Sequence, residues 1–288
     1  MGIGALLSDV RTPEFTRKIF MKRILKNALL PAVVLAAGCG EFPNSDSLDD
    51  QVRNSVADNG VTGIATSWTS DLIGDLMSDE PGVVSFSRDY TSKSVTYDID
   101  RTDRQATAFV ERTASGTLEV VFADGGPFLK TIENDHASRF VTLEQGSTDA
   151  WNIDELSVYQ GSSADGETII EKVSVSWGDQ EVVFDDAEAM YDVDVLTFLP
   201  GQEVTVRVWV NDAAVIGVVH QLSDDVEMIE QKRLVAVPEG VEFANVYFAP
   251  SEAGRYFTYV DIFDEAAITE RDAPYSAAAW GMPYFVTR

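Results

Sequence analysis

Proton transfer near neutral pH is the work of histidine, and the chain has two, His136 and His220. His136 follows Asp135, and if both side chains faced the interior of a cone-shaped fold they could move a proton for a bound ligand. The competing reading is a surface turn over residues 133–136. His220 ends an apolar run and reads as a hydrogen-bonded edge residue. Calcium accepts several oxygen ligands in flexible geometry, which directs attention to Asp98 and Asp100, on one face of an expected strand, with Asp103 in the adjoining turn. Asp185 and Asp186 near Asp192 and Asp194 form a second acidic group. No EF-hand spacing is present, and solvated carboxylates are the competing reading of both groups. Trp209 lies on the polar side of a valine-rich strand, where an exposed ring could stack on a sugar or a partner. A Trp packed under a neighbouring strand is the alternative. No Gly-rich phosphate loop, His-Glu-x-x-His helix or Gly-x-Ser-x-Gly elbow occurs. Carboxylate pairs for glycoside hydrolysis are defined by separation in space, so their abundance here selects none.

The single cysteine, Cys39, has a more specific setting. Met21 is followed by Lys22, Arg23 and Lys26, and residues 28–38 are apolar, a length that suits a signal peptide and is too short to span a bilayer. This start is better formed than the one at Met1, so translation is expected to begin at Met21, with residues 1–20 an upstream extension. The run ends Leu35, Ala36, Ala37, Gly38, Cys39, which resembles the lipobox of bacterial lipoproteins, with Ala36 departing from the Leu preferred there. The resemblance implies a diacylglycerol on the Cys39 thiol, cleavage before it and acylation of the new amino terminus, which together anchor a protein firmly. Gly40 follows, where Asp would suggest inner-membrane retention; the expected location is therefore the cell envelope, at the outer membrane of a Gram-negative bacterium. With Cys39 lipidated, no thiol remains for a disulfide, a zinc site or a nucleophile.

Charge limits the partners. Residues 1–38 hold six basic side chains and two acidic ones, so from Cys39 onward 15 basic residues face 46 acidic ones, a net of −31. Such a surface repels phosphate backbones and anionic headgroups, which excludes nucleic acid and leaves the lipid as the means of membrane attachment. An envelope protein or a glycan is the expected partner.

The fold is expected to be mainly β. A polar tether over 39–46 contains Pro43. Ser47 and Asp50 can open a helix carrying Leu48, Val52 and Val56, and the stripe Ile64, Trp68, Leu72, Leu76 suggests another. From Val83 the period is two. Val95, Tyr97 and Ile99, then Ala106, Ala108 and Val110, then Leu118, Val120 and Phe122, form an antiparallel meander, with turns expected at Thr102–Asp103, Ser115–Gly116 and 124–126. Phe140, Val141 and Leu143, then Trp151 and Ile153, add two strands. Helices before a curved sheet, with Trp151 before Ile153, give a faint resemblance to the nuclear transport factor two-like fold over residues 47–160; a generic β-sandwich is the alternative. Residues 47–162 are thus expected to form a small α+β or β module.

A boundary is expected in the turn-rich segment 161–166, before a second module over 163–288. There Val173, Val175 and Trp177 alternate with polar residues, Val204, Val206, Val208 and Val210 share one face, and 215–219, 241–248, 257–263 and 280–286 read as strands. Tyr256 at the entry to one of them resembles the tyrosine corner of immunoglobulin-like sandwiches, which are usually scaffolds or interaction modules. The leading expectation is a non-enzymatic envelope lipoprotein that binds or assembles; the alternative is a ligand-binding or enzymatic cone in the first module. An enclosed pocket with convergent polar groups would favour the cone, and a filled interior would oppose it.

Overall fold

The computed structural model describes residues 45–58, 68–69, 83–122, 126–164, 166–225, 227–237 and 241–288. The leader, Cys39 and most of the tether lie outside them. Residues 44–288 form one compact unit. It is built from α1 (Ser45–Asp58), β1 (Trp68–Thr69), β2 (Val83–Arg101), β3 (Gln105–Phe122), β4 (Phe128–Gln145), β5 (Trp151–Leu156), β6 (Tyr159–Ser162), β7 (Ile170–Trp177), β8 (Gln180–Phe184), β9 (Tyr191–Asp192), β10 (Thr197–Phe198), β11 (Glu203–Val210), β12 (Val215–Ser223), β13 (Met228–Arg233), β14 (Val235–Ala236), β15 (Glu242–Phe248), β16 (Gly254–Asp264), α2 (Glu265–Thr269) and β17 (Ala277–Val286).

The strands make two sheets, antiparallel except where β10 runs parallel to β17. The first has the order β1-β2-β3-β4-β6-β17-β16-β12-β13, with β5, β9 and β10 as side branches; the second is β14-β15-β11-β7-β8. The meander is confirmed, but with longer strands than the sequence pattern suggests. Ser115 and Gly116 do not turn. They continue β3, whose even-numbered residues from Ala106 to Val120 are buried along the whole strand. Thr113 and Thr117 keep the segment extended, and partner strands on both sides absorb the irregularity as register shifts near Tyr90 on β2 and near Asn134 on β4. Gly116 is required for another reason: a Cβ there would lie 1.9 Å from the backbone oxygen of Asp89.

The helix with Val52 and Val56 forms, and both are fully buried against β3 and β5. The second expected helix does not hold at Trp68, which pairs as a strand with Arg88; Ile64, Leu72 and Leu76 lie outside the described residues. β1 shows that Trp68 answers to its β2 neighbour rather than to the helical spacing.

β16 and β17 are buried on both faces. Their even-numbered residues, among them Val260, Ile262, Trp280, Met282 and Tyr284, share a core with Val173 and Val175 of β7, Val204, Val206, Val208 and Val210 of β11, and Phe243 and Tyr247 of β15. This is a sandwich core between two sheets. The odd-numbered residues point the other way, where Phe263 meets Phe86 of β2 edge to face at 5.4 Å. In the sheet order β2 and β16 are five strand spacings apart, about 24 Å if the sheet were flat. Side-chain contact between them means that the first sheet is rolled, with an interior of its own. The boundary expected at 161–166 is crossed by this sheet: β6 pairs with β4 on one side and with β17 on the other.

Gly116→Ala should destabilise the protein by at least about 1–3 kcal/mol, because the clash is with backbone and no rotamer relieves it. Chemical denaturation of the variant beside the parent measures this; an unchanged midpoint would contradict the close approach of β2 and β3.

Candidate functional site

Polar groups converge inside the rolled sheet. Arg88 on β2 grips Asp261 on β16 with both terminal nitrogens, Nη1 to Oδ1 at 3.0 Å and Nη2 to Oδ2 at 2.6 Å, and both side chains are almost completely buried. His220 on β12 places Nε2 3.3 Å from Asp261 Oδ2. Burial drives the Asp261 carboxyl up, but the Arg88 guanidinium and then His220 outweigh it and hold it below the ordinary 3.8. Asp135 on β4 accepts hydrogen bonds from the hydroxyls of Tyr90 on β2, at 2.6 Å, and Tyr275, at 3.0 Å. Here burial dominates, and the Asp135 carboxyl is raised above 3.8 despite those bonds.

Two more cations enter this interior. Arg139 on β4 is 2 % exposed; its Nη2 donates to the Gly281 carbonyl at 2.8 Å and its guanidinium lies 5.7 Å from the Tyr159 ring centre. Its Nε and Nη1 have no hydrogen-bond partner among the described residues, and burial lowers its pKa to about 9. Arg112 on β3 hydrogen-bonds Tyr159. The long side chains lie over a floor of small residues, Ala114, Ala137, Gly161, Ala277 and Ala279, which leaves a half-open slot. The slot has room for about one water molecule.

The alternation of β4 separates the two residues expected to act together. Asp135 points into the roll, while the neighbouring His136 points to the outer face, where Nε2 sits 2.7 Å from Glu111 Oε1. Residues 133–136 are part of β4 and not a surface turn; the local irregularity is Asn134, with φ of 56°. The interior histidine is instead His220, which is 1 % exposed rather than an edge residue. Its burial follows from β12 lying between β13 and β16. The apolar run 215–219 that leads into the histidine without polar alternation was the available signal, since a strand covered on two faces reads that way.

The other candidates are placed as follows. Trp209 is half-buried, and Lys172 Nζ lies 3.6 Å from its ring centre, so the face expected to take a sugar carries a cation. Asp98 and Asp100 are exposed on β2, and Asp103 is exposed in the turn after it. Among the described residues, no group of three or more His, Cys, Asp or Glu side chains is arranged to hold a metal ion, which includes the group at Asp185, Asp186, Asp192 and Asp194. Asp186 instead accepts the Glu188 backbone N–H at 3.0 Å.

Arg88→Met leaves Asp261 buried without its cation and should cost about 3–5 kcal/mol, most of it recovered in Arg88→Met/Asp261→Leu. The two carboxylates give opposite pH responses. Asp261, with its pKa lowered, contributes stability at neutral pH that is lost as pH falls below 3.8 toward its folded value; Asp135, with its pKa raised, contributes most when protonated and loses this as pH rises from 3.8 through its folded value. The melting temperature of Asp135→Asn relative to the parent should therefore rise between acid and neutral pH, and a difference independent of pH would contradict the burial of this carboxyl. No family model, no curated protein and no solved structure matches the chain.

Proposed function

We propose that the protein is a lipid-anchored envelope lipoprotein whose folded body is a non-enzymatic binding or assembly component. The observation that carries this reading is how the interior is used. The titratable side chains that converge there are engaged in ties between strands, Arg88 with Asp261 and His220, and Asp135 with Tyr90 and Tyr275, and the slot among them admits a group the size of water. A reacting substrate needs room for its scissile bond beside a base, and the half-buried His136 is paired with Glu111 on the outer face.

The anchor reading rests on Cys39 at the end of the apolar run 28–38, and Gly40 beside it favours the outer membrane of a Gram-negative bacterium. For the second half of the chain we propose an immunoglobulin-like sandwich. Its support is the two-sheet core and Tyr256, whose hydroxyl donates to the Glu252 carbonyl at 3.0 Å, the back-bond of a tyrosine corner. The alternative of a small-ligand site inside the first sheet draws support from the convergence of Asp135, Tyr259 and Arg112 on one slot.

The test is made in the native host. The parent protein should incorporate labelled palmitate and fractionate with membranes, and Cys39→Ser should do neither; palmitate retained in the variant would sink the anchor assignment. In-cell cross-linking of the full lipoprotein should recover an envelope protein or glycan in near-stoichiometric amount. Conversion of a small molecule by the purified protein, abolished by Asp135→Asn, would replace the binding reading with an enzymatic one.

A further inference from the structure

No helix or strand among the described residues is layered on the outer face of the second sheet. The valines of β7 and β11 point into the sandwich core, so Lys172, Ser174, Arg207, Trp209 and the residues paired with them point outward. Val183 on β8, Val235 on β14 and Phe248 on β15 belong to this face and are 40 %, 62 % and 55 % exposed. The charge differs from that of the body, which carries −31 from Cys39 onward: here Lys172 and Arg207 stand against Glu181, Glu203 and Glu242. Exposed apolar side chains on a nearly neutral face mark a contact surface, and two copies would repel across the acidic remainder.

The strand registers show what this face complements. One row runs Lys172, Trp209, Glu242 across β7, β11 and β15, with a cation at one side and a carboxylate at the other. The next runs Val183, Ser174, Arg207, Ala244, Val235 from β8 to β14, apolar at both ends. A half-turn about an axis along β11 exchanges the two sides. A second copy laid face to face then puts its Glu242 over Lys172, its Lys172 over Glu242 and its Val235 over Val183. The same rotation carries Phe248 of each copy over the open hollow that Ser176, Gly178 and Thr205 line on the other. Arg207, which would meet its own copy on the axis, is drawn aside by Glu242 at 3.1 Å. We propose that the outer face of the second sheet is the interface of a symmetric dimer of this chain. Five strands about 4.8 Å apart and the eight residues of β11 at about 3.3 Å each give up to roughly 600 Å² per copy, enough for a specific but weak interface. The dimer names a partner for the assembly reading above and rests on it, since two copies anchored in one membrane meet at a raised effective concentration.

The test follows the full-length protein in detergent by sedimentation velocity across micromolar concentrations, where monomer should give way to dimer. Lys172→Glu and Glu242→Lys should each weaken association at least about tenfold, because like charges then face each other twice in every dimer. Mixed in equal amounts, the two variants should form the dimer again, each supplying the charge the other lacks, which a variant that had merely lost its fold would not do. Val235→Glu, at a more exposed position, should keep the parent's melting temperature and weaken the dimer as well. Monomer at every concentration, or charge variants that stay apart on mixing while folded, overturns the interface. Monomer beside an envelope protein captured by the cross-linking above would overturn the dimer and leave the assembly reading standing, so the two fail separately.

Discussion

Arg88 and Asp261 meet across a distance that the sheet order alone would forbid. Their bidentate contact joins β2 to β16, strands separated by β3, β4, β6 and β17, and so requires the sheet to roll. Around it the interior is assembled in pairs that each cross the roll: Phe86 on Phe263, Asp135 between Tyr90 and Tyr275, and His220 on Asp261. Lys130 extends the same logic to the end of the roll, where its Nζ donates at 2.7 Å to the carbonyls of Glu270 and Ala273 and fastens the segment after α2. A buried ion pair is weak evidence for net stability, since desolvation offsets most of its attraction. Its directional geometry fixes which strands face one another, which apolar contacts alone do poorly.

The second constraint is that one pair of strands serves two cores. β16 and β17 give their odd-numbered side chains to the roll and their even-numbered ones to the sandwich, so the residues from Phe257 to Phe263 and from Ala277 to Tyr284 are buried almost without break. The floor of the slot is made by the same economy. Gly161 and Ala279 are small because the chains cross closely there, and a Cβ on Gly161 would lie 3.4 Å from that of Ala279. The long arginine and tyrosine side chains fill the space that the small ones vacate, and the slot is what they leave.

Much of this architecture was legible in local pattern. Four valines at alternate positions from Val204 to Val210 predicted a strand with one buried face, and all four are fully buried. Val52 and Val56 predicted the buried stripe of α1. The turn expected at Ser115–Gly116 failed because residue type was read without the partner strands that hold Gly116 extended. The site was hidden for a related reason. Period two already implied that Asp135 and His136 point to opposite faces, so adjacency in sequence argued against their partnership. The pairs that form instead, Arg88 with Asp261 and Asp135 with Tyr275, are 173 and 140 residues apart, and no local pattern specifies which distant side chain closes a roll.

The position of β17 in the chain sets the order in which the molecule can be finished. It pairs with β6, made more than a hundred residues earlier, and with β16 and β10, and it walls both cores. Until residues 277–286 are present, β6, β10 and β16 lack the strand they pair with, and the apolar faces of β7 and β11 lack part of their cover. Such non-local closure is slow and leaves strand edges available for wrong pairing. A dense negative surface, with 46 acidic residues after residue 38, then acts on the unfinished chain, spacing copies apart by charge while the last strand is awaited. In that sense acidity here protects assembly in time, before there is any finished surface to solvate.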